Sequence, residues 1–267
     1  MSVLLHMSDS HFGTERAAVL DALRGLIRDS RPALVVLSGD LTQRARPAQF
    51  AAARDFVASL PAPFLAIPGN HDIPLYALGT RLRAPYARYA AAFGNELEPA
   101  WSSAEWLVLG VNTTRWWRHK QGEVSPAQIE RVAARLRQAA PGQTRVVVVH
   151  QPMAVIDESD RRNLLRGHAQ AAGAWAAAGA QLVLGGHIHL PYVRSLPEPG
   201  GRPLWVVQAG TAVSHRVRGD IPNSVNLLRR DGNSDTCTAE RWDYDANSGA
   251  FVCHERQPLA LRVPHAS

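Results

Sequence analysis

Cysteine occurs twice and lysine once in the 267 residues, and no stretch approaches the roughly 20 consecutive apolar residues of a membrane span. Two thiols exclude a disulfide-built scaffold. They are also not expected to meet. If Asp245 to Gly249 is the turn of a C-terminal hairpin, Cys253 falls opposite Arg241, roughly 13 Å along the strand from Cys237 and beyond disulfide reach. No basic segment precedes the apolar start of Met1 to Ser10, which meets Asp9 early, so it reads as a strand rather than a signal peptide, and the expected location is the cytoplasm. Long blocks of like charge are missing too. The formal charge of +6 comes from 29 basic residues, 28 of them arginine, scattered among Ala, Gly and Pro. That pattern reads as solvated surface, and nucleic acid is not the expected partner. The densest basic cluster, Arg115 to Lys120, is short.

What is present is an alternation of short apolar runs and helical patterns. Val3 to Met7, Ala33 to Leu37, Phe64 to Ile67, Trp106 to Val111, Val146 to Val149 and Leu182 to Leu184 read as buried strands. Arg16 to Asp29, Pro47 to Leu60, Ser125 to Ala139 and Arg162 to Ala178 read as helices, with Ser125-Pro126 as an N-cap and first-turn proline. From Tyr192 onward the texture changes to strands alone: Tyr192 to Leu196, Leu204 to Gln208, Ser224 to Arg230, Thr236 to Trp242 and Ala250 to Glu255. This predicts a second sheet. The expected fold class is α/β, two packed β-sheets flanked by helices, with residues 1–267 as one domain. Within segment 74–94, Leu78, Leu82, Tyr86, Tyr89 and Phe93 recur at helical spacing although Pro85 interrupts them. It is either a helix packed on the body or a lid over a cleft. The C-terminal strands 224–256 and the tail offer a surface for a homodimer, which nothing in the sequence requires.

The predicted strands end in a consistent kind of residue. Asp9 and His11 follow the first, Asp40 the second, Asn70-His71-Asp72 the third, His150 the run ending at Val149, and His187 and His189 the run ending at Leu184. In an open α/β sheet the carboxyl ends of strands border the ligand crevice, so these clusters are expected to converge. His6, His119, His168, His254 and His265 are assigned structural roles. Imidazole and carboxylate together suit borderline divalent metals such as Mn, Fe, Zn, Co or Ni, and the lack of cysteine here excludes an iron–sulfur cluster or a thiolate zinc site. Seven candidate ligands, Asp9, His11, Asp40, Asn70, His150, His187 and His189, are too many for one ion. Two ions could share them through a bridging carboxylate, roughly 3.5 to 4 Å apart.

The order Asp-x-His, Gly-Asp, Gly-Asn-His-Asp, His and Gly-His-x-His resembles the calcineurin-like metallophosphoesterases, from Asp9 to His189. The resemblance implies that Asp9, His11 and His189 hold one metal, that Asn70, His150 and His187 hold the other, and that Asp40 bridges them. It also implies two β-sheets sandwiched between helices. Asn70 would then be a neutral oxygen ligand. His71 would stand beside the metals to stabilise a phosphoryl oxygen or protonate a leaving alkoxide, and Asp72 would orient that imidazole and favour its charged form.

A metal-bridging hydroxide would attack phosphorus, with no covalent intermediate. Ser10 and Ser38 are read as packing residues. Within the family the sequence is most similar to bacterial class III cyclic-nucleotide phosphodiesterases, which implies a small phosphodiester substrate, with cyclic nucleotides among the candidates. The alternative is a pyrophosphohydrolase of the UDP-diacylglucosamine type, which would use the 74–94 segment and Arg115 to Lys120 at a membrane surface. That family typically carries Arg where His71 stands. A non-catalytic scaffold of the same fold is disfavoured because every motif position is filled. Arg44, His215, Arg216 and Arg218 stand in loops near the motifs, where arginine suits phosphate; they are read as surface residues, with substrate contact left open. The sequence shows no dense clamp for a dianion, so diesters are expected to be preferred over monoesters.

Overall fold

The computed structural model describes residues 2–196, 203–232 and 235–261; His265 and the C-terminal tail lie outside them. Twelve strands are present among these residues: β1 (Ser2–Met7), β2 (Leu34–Leu37), β3 (Phe64–Ala66), β4 (Ala100–Ser102), β5 (Trp106–Gly110), β6 (Thr144–Val148), β7 (Leu182–Gly185), β8 (Tyr192–Leu196), β9 (Leu204–Gln208), β10 (Ser224–Arg230), β11 (Thr236–Asp245) and β12 (Ala250–Ala260). The α-helices are α1 (Ala17–Ser30), α2 (Pro47–Ala58), α3 (Leu78–Arg83), α4 (Ala87–Phe93), α5 (Pro126–Arg137) and α6 (His168–Ala177). The strands form two six-stranded mixed sheets, ordered β12-β11-β10-β1-β2-β3 and β4-β5-β6-β7-β9-β8.

The layering follows from strand alternation. Val3, Leu5 and Met7 of β1 pack toward α1 and α2, against Val19, Leu23, Phe50 and Phe56. Leu4, one residue out of phase, packs between the sheets with Val108, Val146 and Leu184. On the far side, Val147 and Val183 meet Ile129 and Leu136 of α5 and Trp175 of α6. Both faces of each sheet are therefore buried, which is why these strands read as unbroken apolar runs. The helices show matching periodicity. In α1 the buried residues are Val19, Leu23, Leu26 and Ile27. Helix α5 starts as expected, with the Ser125 side chain accepting from the Gln128 N–H at 3.2 Å and Pro126 at the first position. His6 is wholly buried between the sheets. Its Nδ1 accepts from Asn226 and its Nε2 donates to the Ser38 hydroxyl at 2.9 Å, while burial lowers it to about 3 and keeps it neutral. No described helix is long and apolar enough to cross a membrane.

Several expectations are corrected. The strands after Tyr192 do not make a sheet of their own. Strand β9 pairs parallel to β7 and β10 antiparallel to β1, so the late strands complete both sheets. The helix expected over Arg162 to Ala178 begins only at His168. Gly167 sits at φ +87°, a left-handed turn, and Glu158–Asn163 forms a separate 3₁₀ segment. Strand β4 was not expected; it is a three-residue edge. The segment around Pro85 is two short helices, because Pro85 prevents Ala84 from continuing α3. Tyr89 is buried, whereas Leu78 and Leu82 are 64% and 60% exposed. Cys253 stands opposite Trp242 rather than Arg241, because a bulge between Arg241 and Trp242 shifts the register. Both cysteines are free thiols.

Candidate metal centre

Strands β1, β2 and β3 of one sheet are parallel, as are β5, β6, β7 and β9 of the other. Their carboxyl ends open on the same place, and the loops that leave them interlock. His150 Nδ1 donates to the Ser38 carbonyl at 2.8 Å, and the His187 N–H donates to Asp9 Oδ2 at 2.8 Å. Ligand atoms of Asp9, His11 and His189 lie within 4.8 Å of one another, as do those of Asp40, His150 and His187, and those of His11, Asp40 and His71. Asn70 joins the second group, with its Oδ1 3.2 Å from His150 Nε2. The backbone is strained where these side chains are presented. Asp9, His11, Asp40, His187 and His189 all have φ between 44° and 77°. Each such residue costs on the order of 1 kcal/mol or more, strain that persists where the surrounding fold enforces it and that clusters at functional sites.

Hydrogen bonding at the outer nitrogens decides which way the lone pairs point. His189 Nδ1 faces the Arg216 carbonyl at 2.5 Å and so carries the proton, leaving Nε2 as a lone pair 3.4 Å from Asp9 Oδ1. In the same way His150 Nε2 is a lone pair, 3.3 Å from Asp40 Oδ1. With neutral rings, acceptor faces acceptor at the His189–Asp9 and His150–Asp40 contacts, and the buried Asp9 Oδ1 has no hydrogen-bond donor. Such an arrangement is unfavourable unless a cation sits among the lone pairs, and nitrogen and oxygen donors in this mixture fit divalent transition metals. The surrounding charge also favours a cation at this point, whether a proton on His150 Nε2 or a metal ion. Burial lowers the His150 imidazole, but Asp40 and Asp9 outweigh it and raise it to about 9. The pocket favours positive charge at that point.

The loop Gly69 to Asp72 departs from expectation at Asp72. Its carboxylate does not touch the His71 ring. Oδ1 accepts from the Thr42 N–H and hydroxyl, both at 2.8 Å, and Oδ2 from the N–H groups of Leu41 at 3.0 Å and Gly69 at 2.9 Å. Those four donors fill the lone pairs, so Asp72 ties the Asp40 loop to the Asn70 loop. Burial and the nearby Asp40 push it up to about 6, against the hydrogen bonds that lower it. The orientation of His71 comes instead from the Gln43 carbonyl, which accepts from Nδ1 at 2.8 Å. Asp72→Asn is therefore expected to set an amide N–H₂ against two backbone donors. The loss should be about 2 to 5 kcal/mol of stability, measured by denaturant unfolding, with equal loss of activity on all leaving groups. A stable variant affected only on poor leaving groups would return Asp72 to the imidazole.

Sequence reasoning left the role of Arg216 open between surface and substrate, and the structure places it at the site. Its carbonyl holds His189, and its Nη1 donates to His71 Nε2 and to Gln43 Oε1, both at 3.2 Å. The scattered arginines are also less scattered in space. Arg44, Lys120 and Arg216 line one pocket of about 270 Å³ beside Asn70 and His71. The expectation of no cationic clamp is thus corrected, and discrimination against dianions no longer follows from it. The helical spacing that revealed core faces gives no signal for residues in separate loops. Arg218 is a true structural residue, paired with Asp160 at 2.7 Å, and His215 is exposed.

Residues 2–191 match the calcineurin-like phosphoesterase family, and the chain belongs to that family. It is 28% identical over 182 residues to a "Probable cyclic nucleotide phosphodiesterase" of a Synechococcus strain, covering 68% of this chain and 66% of that protein. It is 26% identical over 204 residues to a cAMP/cGMP dual specificity phosphodiesterase of Mycobacterium tuberculosis, covering 70% of this chain and 61% of that one. The chain thus matches less than two thirds of the length of either relative. A dimetal phosphatase from Danio rerio has the same fold, with a TM-score of 0.65 at 12% identity over 97% of this chain and 99% of that one.

Proposed function

We propose that this chain hydrolyses a phosphodiester with the help of two divalent metal ions, cyclic nucleotides being among the candidate substrates. Two neighbouring triads, Asp9/His11/His189 and Asp40/His150/His187, support this reading above all, with Asp40 reaching across to His11 Nε2 at 3.8 Å. Asp9, His11 and His189 would hold one ion, Asn70, His150 and His187 the other, with Asp40 common to both. Bound ions would supply an activated water and neutralise phosphoryl charge. The chain's own groups do the rest. The Ser38 and Arg216 carbonyls keep the protons of His150 and His189 on Nδ1, away from the centre. His71 stands at the edge, its Nδ1–H fixed by Gln43 and its Nε2 beside Arg216. There the pair can stabilise a phosphoryl oxygen, and a proton taken up from solvent by Nε2 as it parts from Arg216 would be placed to pass to a leaving oxygen.

The test is a hydrolysis panel on metal-reconstituted protein: 3′,5′-cyclic AMP, an alkyl diester, a nitrophenyl diester, a nitrophenyl monoester and a UDP-diacyl sugar. His71→Ala is expected to lose about 10² to 10⁴ in kcat on the alkyl diester and far less on the nitrophenyl diester, with metal content unchanged. Equal losses would assign His71 to charge stabilisation alone. Loss of one metal would make it a ligand. One observation favours the lipid-linked alternative: Leu78, Leu82 and Trp117 are 64%, 60% and 56% exposed in segments that Arg81 joins through the Arg118 carbonyl. Cleavage of the UDP-diacyl sugar in preference to the diesters would establish it, and would give segment 74–94 a substrate-covering role.

A further inference from the structure

The pocket beside the metal centre carries more positive charge than one phosphodiester can use. Arg44, Lys120 and Arg216 come from three separate loops, and no Asp or Glu lines the pocket with them. None of the three is paired with a carboxylate among the described residues. Nearby cations are treated differently: Arg118 is neutralised by Glu123 at 2.9 Å and Arg218 by Asp160 at 2.7 Å. Arg44 is also held in place. Its guanidinium lies 5.5 Å from the Tyr76 ring centroid and donates to the Tyr76 hydroxyl at 3.2 Å. Three like charges around one cavity repel each other, and an anion entering the cavity relieves that repulsion.

The scissile phosphoryl group accounts for Arg216 beside His71 but not for Arg44 and Lys120. It belongs on the metal ligands, of which only Asn70 lines this pocket, so the pocket lies where an ester arm of the substrate extends. Two divalent ions, offset by Asp9 and Asp40, would already leave a positive centre for the single charge of a diester. We propose that this pocket is a subsite for a second phosphate carried on an ester arm, a proposal that rests on the phosphodiesterase reading. A cyclic mononucleotide would leave it empty. A nucleotide diester bearing a further phosphate would fill it, with Arg44 and Lys120 as donors and Arg216 at its border with the scissile group.

Two chromogenic probes separate these cases on manganese-reconstituted protein: the p-nitrophenyl ester of thymidine 5′-phosphate, and the same ester with a 3′-phosphate. The second is expected to show about 10- to 100-fold higher kcat/KM, an advantage that shrinks as salt rises. Arg44→Gln and Lys120→Gln should each remove about five- to tenfold of it while leaving the 3′-hydroxyl probe within about twofold of wild type. Equal kcat/KM on the two probes, or an advantage that both substitutions leave intact, overturns the subsite while phosphodiester hydrolysis stands. If neither probe is cleaved, the phosphodiesterase reading fails, and calorimetric titration decides the subsite alone. Thymidine 3′,5′-bisphosphate binding no more tightly than thymidine 5′-monophosphate would then overturn it.

Discussion

Asp40→Asn should reduce hydrolysis by about 10³-fold or more and lower metal content, with the fold retained. Asp40 belongs to the triad with His150 and His187 and also faces His11 of the other triad. Its Oδ1 faces His150 Nε2 at 3.3 Å and also accepts from the His71 N–H at 2.8 Å, while Oδ2 faces His11 Nε2 at 3.8 Å. An amide in its place removes the negative charge that two cations would share. Whichever way it turns, its N–H₂ also confronts either the His71 backbone donor or the site of an ion. Neither arrangement offers the two-sided oxygen coordination of a carboxylate. Metal analysis beside kcat checks the prediction, with circular dichroism to show that the variant folds. Full activity with two metals bound would remove Asp40 from the bridging role.

Gly69→Ala should be nearly as damaging, for a purely steric reason. Gly69 has φ −100° and ψ 178°, which any residue adopts. A Cβ there would stand 2.1 Å from the Asp40 nitrogen, 2.2 Å from Asp40 Oδ1 and 2.8 Å from its Cα. Backbone cannot swing aside as a side chain can, so the two loops must part and carry the Asp40 carboxylate with them. A displacement of about 1 Å at a reacting centre costs on the order of 10²-fold in rate, and overpacking of this kind about 1 to 3 kcal/mol in stability. Gly79→Ala is the control. Its added Cβ meets nothing within 4 Å, so metal content and kcat should stay at wild-type values. If Gly69→Ala retains both quantities, the loops are looser than their packing indicates.

Much of the architecture was legible because it is local. Val3 to Met7 and Val146 to Val149 read as strands since both faces of each sheet are buried, and Ser125-Pro126 marked the start of α5 because a cap involves only adjacent residues. Most failures were non-local. The bulge at Arg241/Trp242 moved Cys253 by one position, and pairing partners for β9 and β10 depend on strands far earlier in the chain. Gly167 interrupted a helical pattern that composition alone continued.

By itself the sequence determined the chemistry available at the strand ends: carboxylates, imidazoles and one amide, in an order and number suited to two metal ions and without thiolates. Side-chain type and position after a strand are properties of the chain, and they survive whatever the loops do. Only the tertiary structure decided what each group faces. Asp72 looked like the support of its neighbour His71, yet its lone pairs are taken by Leu41, Thr42 and Gly69, and His71 is held by Gln43. Arg216 stands 145 residues from His71 in sequence and 3.2 Å from it in space. Hydrogen bonds and charge act over ångströms, so their partners are fixed by the pairing of the sheets rather than by the order of residues.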